Sequence, residues 1–237
     1  MNVNKIKNIK LISRYHPNGN IRLFRVMRYK PSLLVIGNSN VGKSSITKLL
    51  LPSPKKFKGK VGKQPGSTLM IKSIEFPQLP YKIVDLPGFG YMDSSSRRRE
   101  EHIKKQLIIH IEKHHDEYFF SLVVLNFLRI EDELKKYHLE NDTTIPLSFE
   151  LIKFLKEFEI PLLVILNKID KVSVFDKKRI ISLLINSAKD YGLNLTRIFE
   201  EEVKDHKEIP YLEFSAIKRT NLDKLKRVIN VFLQTAG

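Results

Sequence analysis

The sequence predicts an α/β fold with a mostly parallel, six-stranded sheet covered by helices on both faces. Two observations predict it: short apolar runs alternate with helical patterns along the 237 residues, and polar motifs directly follow several apolar runs. Candidate strands are residues 33–36, 69–75, 81–85, 121–126, 161–166 and 210–214. Candidate helices are residues 43–51, 94–115, 149–158, 174–190 and 221–234. Because ligands bind at the carboxyl ends of strands in such sheets, we expect the motifs to meet there.

The amino-acid composition limits the classes of protein to which the chain can belong. A hydrophobic share of 42% indicates a real core, and the absence of Cys excludes disulfides and thiolate chemistry. The longest apolar stretch, residues 119–128, is too short to span a bilayer. Lysines interrupt the start of the chain, which therefore does not resemble a signal peptide. We expect a cytoplasmic monomer with no membrane span.

The positive charge predicts a polyanionic partner. The formal net charge is +16, and residues 1–30 contain eight Lys and Arg but no acid. We expect them to form a basic extension, with a strand-like segment at residues 20–26, before a domain at residues 31–237. Nucleic acid is the favoured partner, although an anionic membrane or a merely solvated basic surface would also fit. The interleaved aromatic residues are too few to predict a stacking surface.

The first chemical motif lies between a strand and a helix. It has the form G-x-x-x-x-G-K-[S/T] and consists of Gly37, Asn38, Ser39, Asn40, Val41, Gly42, Lys43 and Ser44, with Ser45 next. Its two glycines let backbone N–H groups turn toward an anion. Lys43 can bind the β- and γ-phosphates, and the Ser44 hydroxyl can bind Mg²⁺. A glycine-containing turn is the alternative, but the flanking strand and helix favour phosphate binding.

A second motif follows the strand at residues 81–85 and consists of Asp85, Leu86, Pro87 and Gly88. The Asp85 carboxylate can hold a magnesium-bound water, and the Gly88 amide can face a γ-phosphate. On its own this pattern is usually a turn. Its place after the phosphate loop, at a strand end, makes it a candidate part of the same site.

Two further motifs predict recognition of guanine. The first consists of Asn167, Lys168, Ile169 and Asp170, and the second of Ser215, Ala216 and Ile217. The Asp170 carboxylate can accept bonds from guanine N1–H and the 2-amino group, both of which adenine lacks. Lys168 can lie along the base, and Asn167 can brace neighbouring loops. Backbone N–H groups of the second motif can bond guanine O6.

The order of these motifs resembles that of the translation-factor-related GTPases, which are P-loop NTPases. Residues 65–68, Pro-Gly-Ser-Thr, resemble the threonine loop of the EngB family. Residues 85–91, Asp-Leu-Pro-Gly-Phe-Gly-Tyr, resemble a specific signature of that family, and residues 145–161 look like its archaeal branch. The resemblance covers roughly residues 31–234. It implies a guanine-nucleotide-binding domain, here called the G domain.

The resemblance also implies roles for matched residues. Thr68 is expected to bind Mg²⁺ beside Ser44 and Asp85. A loop is expected to close over the nucleotide, and it consists of Gly66, Ser67, Thr68, Leu69 and Met70. Family membership implies GTP hydrolysis in assembly of the large ribosomal subunit, and bacterial relatives are also linked to cell division and septation. Bacterial members of this family usually have Asp at the position of Asn126 and Thr at the position of Asn167. The insertion at residues 129–147 is longer than the corresponding segment in those members.

The means of hydrolysis is open at this stage. Phe89 stands where many small GTPases have the Gln that orients water. In some related GTPases an Asn at the position of Asn40 binds K⁺, so K⁺ is a candidate second ion; alternatively Asn40 only shapes the loop, or a ribosomal partner completes the site. The candidate catalytic residues are therefore Lys43, Thr68, Gly88 and Asn40. Competing functions are a GTP-binding scaffold at the division site and a G domain for membrane transport.

Overall fold

The computed structural model describes residues 9–14, 22–27, 30–53, 71–88, 97–136, 145–198 and 208–235, the first two ranges as backbone. Within these ranges the strands are β1 (Ile9–Arg14), β2 (Arg22–Met27), β3 (Ser32–Ile36), β4 (Lys72–Ile74), β5 (Lys82–Asp85), β6 (Tyr118–Asn126), β7 (Leu162–Asn167), β8 (Leu195–Arg197) and β9 (Ile209–Phe214). The helices are α1 (Lys43–Leu50), α2 (Arg97–His114), α3 (Ile130–Leu134), α4 (Leu147–Glu157), α5 (Val174–Asp190) and α6 (Leu222–Thr235).

The main sheet confirms the α/β class but has seven strands, so the prediction of six was wrong. Its order is β4-β5-β3-β6-β7-β9-β8, and β4 alone among these strands pairs antiparallel with its neighbour. The additional strand, β8, has only three residues and lies at the edge of the sheet beside β9. Three residues are too few to show a strand periodicity.

The core lies on both faces of the sheet. One apolar layer is built around the side of the sheet that contains Leu34, Val123 and Val164, and the other around the side that contains Val35 and Ile165. All but the last residue of β6, and all of β7, are buried. This burial explains the unbroken apolar runs in the sequence, because central parallel strands are covered on both faces. The described helices include none that is long and apolar enough to cross a bilayer.

Two helices begin through side-chain contacts that the linear pattern did not reveal. The buried Glu133 carboxylate on α3 accepts a bond from the backbone N–H of Ser148 at 3.0 Å, so α4 begins earlier than residue 149. The Ser173 hydroxyl accepts a bond from the N–H of Asp176 at 3.1 Å and thereby caps α5. Helix α3 itself lies in the predicted insertion at residues 129–147.

The N-terminal segment forms a separate sheet. Strands β1 and β2 pair antiparallel in register from Ile9 opposite Met27 to Arg14 opposite Arg22. Residues 22–26 of the segment predicted as strand-like therefore pair with β1 and do not belong to the main sheet, while residues 20 and 21 lie outside the described residues. We call this two-stranded element the N-terminal ribbon.

Candidate nucleotide site

The loop from β3 to α1 requires glycine at both of its ends. Gly37 has φ 147°, and a Cβ there would lie 2.2 Å from the backbone oxygen of Val124 on β6. Gly42 has φ 104°, and a Cβ there would lie 2.3 Å from Asn167 Nδ2. The loop can therefore approach β6 and β7 closely only because these residues lack a side chain.

Lys43 is buried at the first turn of α1. Its Nζ donates to the backbone oxygens of Gly37 and Asn38, at 2.9 and 2.8 Å, and the side chain is held within the loop. Burial lowers the pKa of Lys43 to about 8, although the nearby Asp85 carboxylate partly opposes this effect. Within the described part of the chain, helix α1 has no side-chain cap at its N-terminus, and the Ser45 N–H donates to Gly42 O at 3.1 Å; the N–H groups that precede Ser45 can face an anion. Ser45 also lies in this first turn.

Asp85 and Ser44 form an oxygen-rich pair beside this lysine. The Ser44 hydroxyl donates to Asp85 Oδ2 at 3.1 Å. Asp85 Oδ1 is buried and has no hydrogen-bond partner among the residues that the structure describes. Burial raises the pKa of Asp85, and Lys43, Ser44 and Lys72 counteract it. A divalent cation that prefers oxygen ligands, such as Mg²⁺, fits this carboxylate because it would satisfy the unpaired oxygen.

The turn after β5 lies directly on the phosphate loop. The backbone N–H of Leu86 donates to Val35 O at 3.1 Å, and the Leu86 side chain is fully buried. At Gly88 a Cβ would lie 2.7 Å from Lys43 Nζ and 2.9 Å from Ser39 N. Pro87 lies between Leu86 and Gly88 in the sequence. A phosphate group bound by Lys43 would therefore be next to the Gly88 backbone.

Asn167 joins two loops at the end of β7. Its Nδ2 donates to Val41 O at 2.8 Å, and its Oδ1 accepts from the backbone N–H of Ala216 at 3.1 Å. The residue is only 2% exposed. One buried amide thus connects the phosphate loop to the turn after β9.

The remaining motif residues surround the same edge of the sheet. Lys168 has φ 75°, and its Nζ donates to Asn40 O at 2.6 Å. Asp170 follows Ile169, and its Oδ1 accepts from the Ser215 hydroxyl at 2.6 Å. Ile217 is 71% exposed. Asp170 is thus held in place by a neighbouring side chain before it meets any ligand.

The structure therefore brings together residues from four of the predicted motifs. The fifth, residues 66–70, lies outside the described residues, as does Phe89. Sequence reasoning missed the bond between the Ser215 side chain and Asp170, because only backbone N–H groups of that motif were considered. It also missed a polar cavity of about 290 Å³ beside the phosphate loop, to which Asn126, Arg129 and Glu133 contribute.

Comparison with known proteins gives consistent results. Residues 32–168 match the family described as 50S ribosome-binding GTPase. The chain is 30% identical over 159 residues to the probable GTP-binding protein EngB of Methanococcus aeolicus, covering 67% of this chain and 66% of that protein. It is 34% identical over 143 residues to the Methanococcus maripaludis protein of the same name, covering 60% of this chain and 59% of that protein.

A solved structure agrees in fold and length. The crystal structure of a probable GTP-binding protein engB superposes with a TM-score of 0.66 at 26% identity, and the match covers 86% of this chain and 99% of that one. The matches to the two Methanococcus relatives, in contrast, span 66% and 59% of their lengths, which is less than two thirds.

Proposed function

Because the chain belongs to the 50S ribosome-binding GTPase family, as an archaeal-type EngB protein, we propose that it binds and hydrolyses GTP as a molecular switch in assembly of the large ribosomal subunit. We place it in the cytoplasm, as a monomer. The proposal of guanine binding depends on the Asp170 carboxylate, which the Ser215 hydroxyl holds in place. The Asn167 side chain, three residues before Asp170, joins the phosphate loop to the turn that contains Ala216.

Each motif has a role in this proposal. Lys43 and the N–H groups of α1 hold the phosphates, while Asp170 accepts the two guanine donors. Ser44 and Asp85 hold Mg²⁺, with Thr68 as the further ligand that the family resemblance implies. The metal supplies positive charge that offsets the charge developing on the phosphates during hydrolysis.

The switch would act through the contact of Gly88 with the phosphate loop. A γ-phosphate beside Lys43 gives the Gly88 N–H an acceptor, and hydrolysis removes that acceptor. Gly88 and Thr68 flank the basic residues 55–63 and 91–99 in sequence. We therefore propose that GTP orders a basic surface that binds ribosomal RNA.

The direct test is co-sedimentation of the purified protein with large-subunit particles. We expect co-sedimentation with a non-hydrolysable GTP analogue and much less with GDP, because the γ-phosphate orders the contact surface. The family description and the net charge of +16 support this partner. Equal co-sedimentation in both states would contradict the switch, and none in either state would contradict the partner.

A potassium ion is proposed as the group that replaces the missing glutamine. Asn40 is exposed and has φ 60°, so Asn40→Gly removes the side-chain oxygen while keeping a residue that tolerates this backbone. We expect faster GTP turnover in KCl than in NaCl, and loss of that difference in Asn40→Gly. Measurement of phosphate release in both salts checks this. Equal rates in the unmodified protein would leave the ribosomal partner to supply the missing group.

A link to cell division would follow indirectly if division fails when large subunits are scarce. Depletion of the protein should then reduce free large subunits before septation stops. Arrested septation with an unchanged subunit profile would instead favour a division-site scaffold.

A further inference from the structure

Ser39 in the phosphate loop has a buried hydroxyl group without a partner among the described residues. Its Oγ is shielded from solvent and makes no hydrogen bond to any residue that the structure describes. Burial of an unpaired hydroxyl costs free energy, because its bonds to water are lost and not replaced. Asp85 Oδ1 is unpaired in the same way, and a bound Mg²⁺ would satisfy it. A ligand atom could likewise satisfy the Ser39 hydroxyl.

An unpaired hydroxyl is not by itself the sign of a ligand site. Two other such hydroxyls lie inside regular elements, at Thr47 in α1 and at Ser121 in β6, and both residues are fully buried. Ser121 is in the first half of its strand, opposite Leu34 and Leu162, whereas the nucleotide motifs follow the strand ends. Ser39 differs from these residues because it lies in the loop between β3 and α1, within the candidate site itself.

The position of Ser39 is where the phosphate loop meets the turn after β5. A Cβ at Gly88 would lie 2.8 Å from Ser39 Cα, 2.9 Å from Ser39 N and 2.7 Å from Lys43 Nζ. The backbones of Ser39 and Gly88 and the Lys43 ammonium group therefore surround one small space. A γ-phosphate bound by Lys43 and by the Gly88 N–H would be at this point. Only Cβ separates the Ser39 Oγ from its Cα, so the hydroxyl can reach an oxygen of that phosphate.

We infer that the Ser39 hydroxyl donates to a γ-phosphate oxygen and thereby makes the site select GTP over GDP. This inference rests on the proposed binding of GTP, and it adds a side chain that distinguishes the two nucleotides. GDP has no γ-phosphate, so the hydroxyl stays unpaired when GDP is bound. Lys43, in contrast, can bind the β-phosphate of either nucleotide. The bond from Ser39 has a charged acceptor in a buried site, and such bonds are stronger than bonds between neutral groups.

The test is calorimetric titration of the full-length protein with GDP and with a non-hydrolysable GTP analogue, both in the presence of Mg²⁺. For Ser39→Ala we expect the ratio of analogue affinity to GDP affinity to fall by about 10-fold to 100-fold, since one bond to a charged acceptor is lost. Ser39→Gly should lower the ratio by the same factor, because it also lacks the hydroxyl. A ratio that is unchanged in both variants would overturn the inference.

Unfolding of the nucleotide-free protein gives an independent measurement. Ser39→Ala removes a hydroxyl that is buried without a partner, so the urea midpoint should stay the same or rise. A lower midpoint together with an unchanged affinity ratio would mean that the hydroxyl bonds to the protein and not to the nucleotide. That result would also overturn the inference.

Ser121→Ala is the matched control, because it removes another buried, unpaired serine hydroxyl from a place away from the strand ends. We expect its ratio of analogue affinity to GDP affinity to equal that of the unmodified protein. An equal fall of the ratio in Ser121→Ala and Ser39→Ala would overturn the inference.

The same titrations separate this inference from the proposed function. If the unmodified protein binds neither GDP nor the GTP analogue, the proposed function fails and the inference fails with it. If the unmodified protein binds both nucleotides and the Ser39 variants keep its affinity ratio, the inference alone fails.

Discussion

Replacement of Asp170 by Asn is expected to weaken GTP binding by about 100-fold to 10,000-fold, because two bonds to a charged acceptor contribute about 1.5–3 kcal/mol each. The Ser215 hydroxyl, now 2.6 Å from Asp170 Oδ1, would keep the Asn oxygen on its side. The amide nitrogen would then face the 2-amino group of guanine, donor against donor. Xanthine carries a carbonyl at that position, so xanthosine triphosphate should bind the variant more tightly than GTP. Calorimetric titration with both nucleotides measures this exchange of preference.

Asp176→Asn is the matched control for this substitution. Asp176 also accepts a bond from a serine hydroxyl, Ser173, at 2.7 Å, but it lies on the exposed first turn of α5. We expect its GTP affinity to remain unchanged. A fall in GTP affinity without any gain for xanthosine triphosphate in Asp170→Asn would show that this carboxylate supports the loop and does not read the base.

Gly37→Ala is expected to reduce the free energy of unfolding by about 3 kcal/mol or more, since positive φ and overpacking each destabilise. The new Cβ would lie 2.2 Å from Val124 O, which is backbone in a central strand and cannot rotate away. Either the phosphate loop or β6 must shift, so nucleotide affinity should fall as well. Urea denaturation, with the slope checked for two-state behaviour, measures the loss.

Gly192→Ala isolates the steric part of this effect. Gly192 also has positive φ, at 74°, but nothing lies within 4 Å of the position that its Cβ would occupy. Its substitution should therefore cost only about 1–2 kcal/mol, the ordinary cost of a left-handed residue. Equal losses of unfolding free energy in Gly37→Ala and Gly192→Ala would mean that the phosphate loop can accommodate a Cβ beside β6 at no extra steric cost.

The central strands could be predicted because burial on both faces leaves a continuous apolar run, as in β6 and β7. The phosphate loop could be predicted because its glycines, lysine and serine are adjacent in sequence. Strand β8 and helix α3 were missed because three and five residues are too short for a recognisable period. Their positions depend on tertiary contacts with β9 and with α5.

Side-chain partnerships across the site were harder to predict than the motifs themselves. Ser215 and Asp170 are 45 residues apart in sequence, and Asn167 reaches back 126 residues to Val41. No local pattern encodes such pairings, because they depend on which strand ends become neighbours in the sheet. Strand order β3-β6-β7-β9 is what brings these three loops together, since they follow β3, β7 and β9.

The shared amide of Asn167 has a consequence for how ligand fragments combine. Anything that fixes Val41 also fixes Asn167, and through it the N–H of Ala216. Pyrophosphate bound alone would therefore order the loops that receive the nucleobase. Guanosine bound alone would order the phosphate loop. A guanine nucleotide contains both fragments and orders these loops once instead of twice. Its binding should therefore be more favourable than the sum of the binding free energies of pyrophosphate and guanosine.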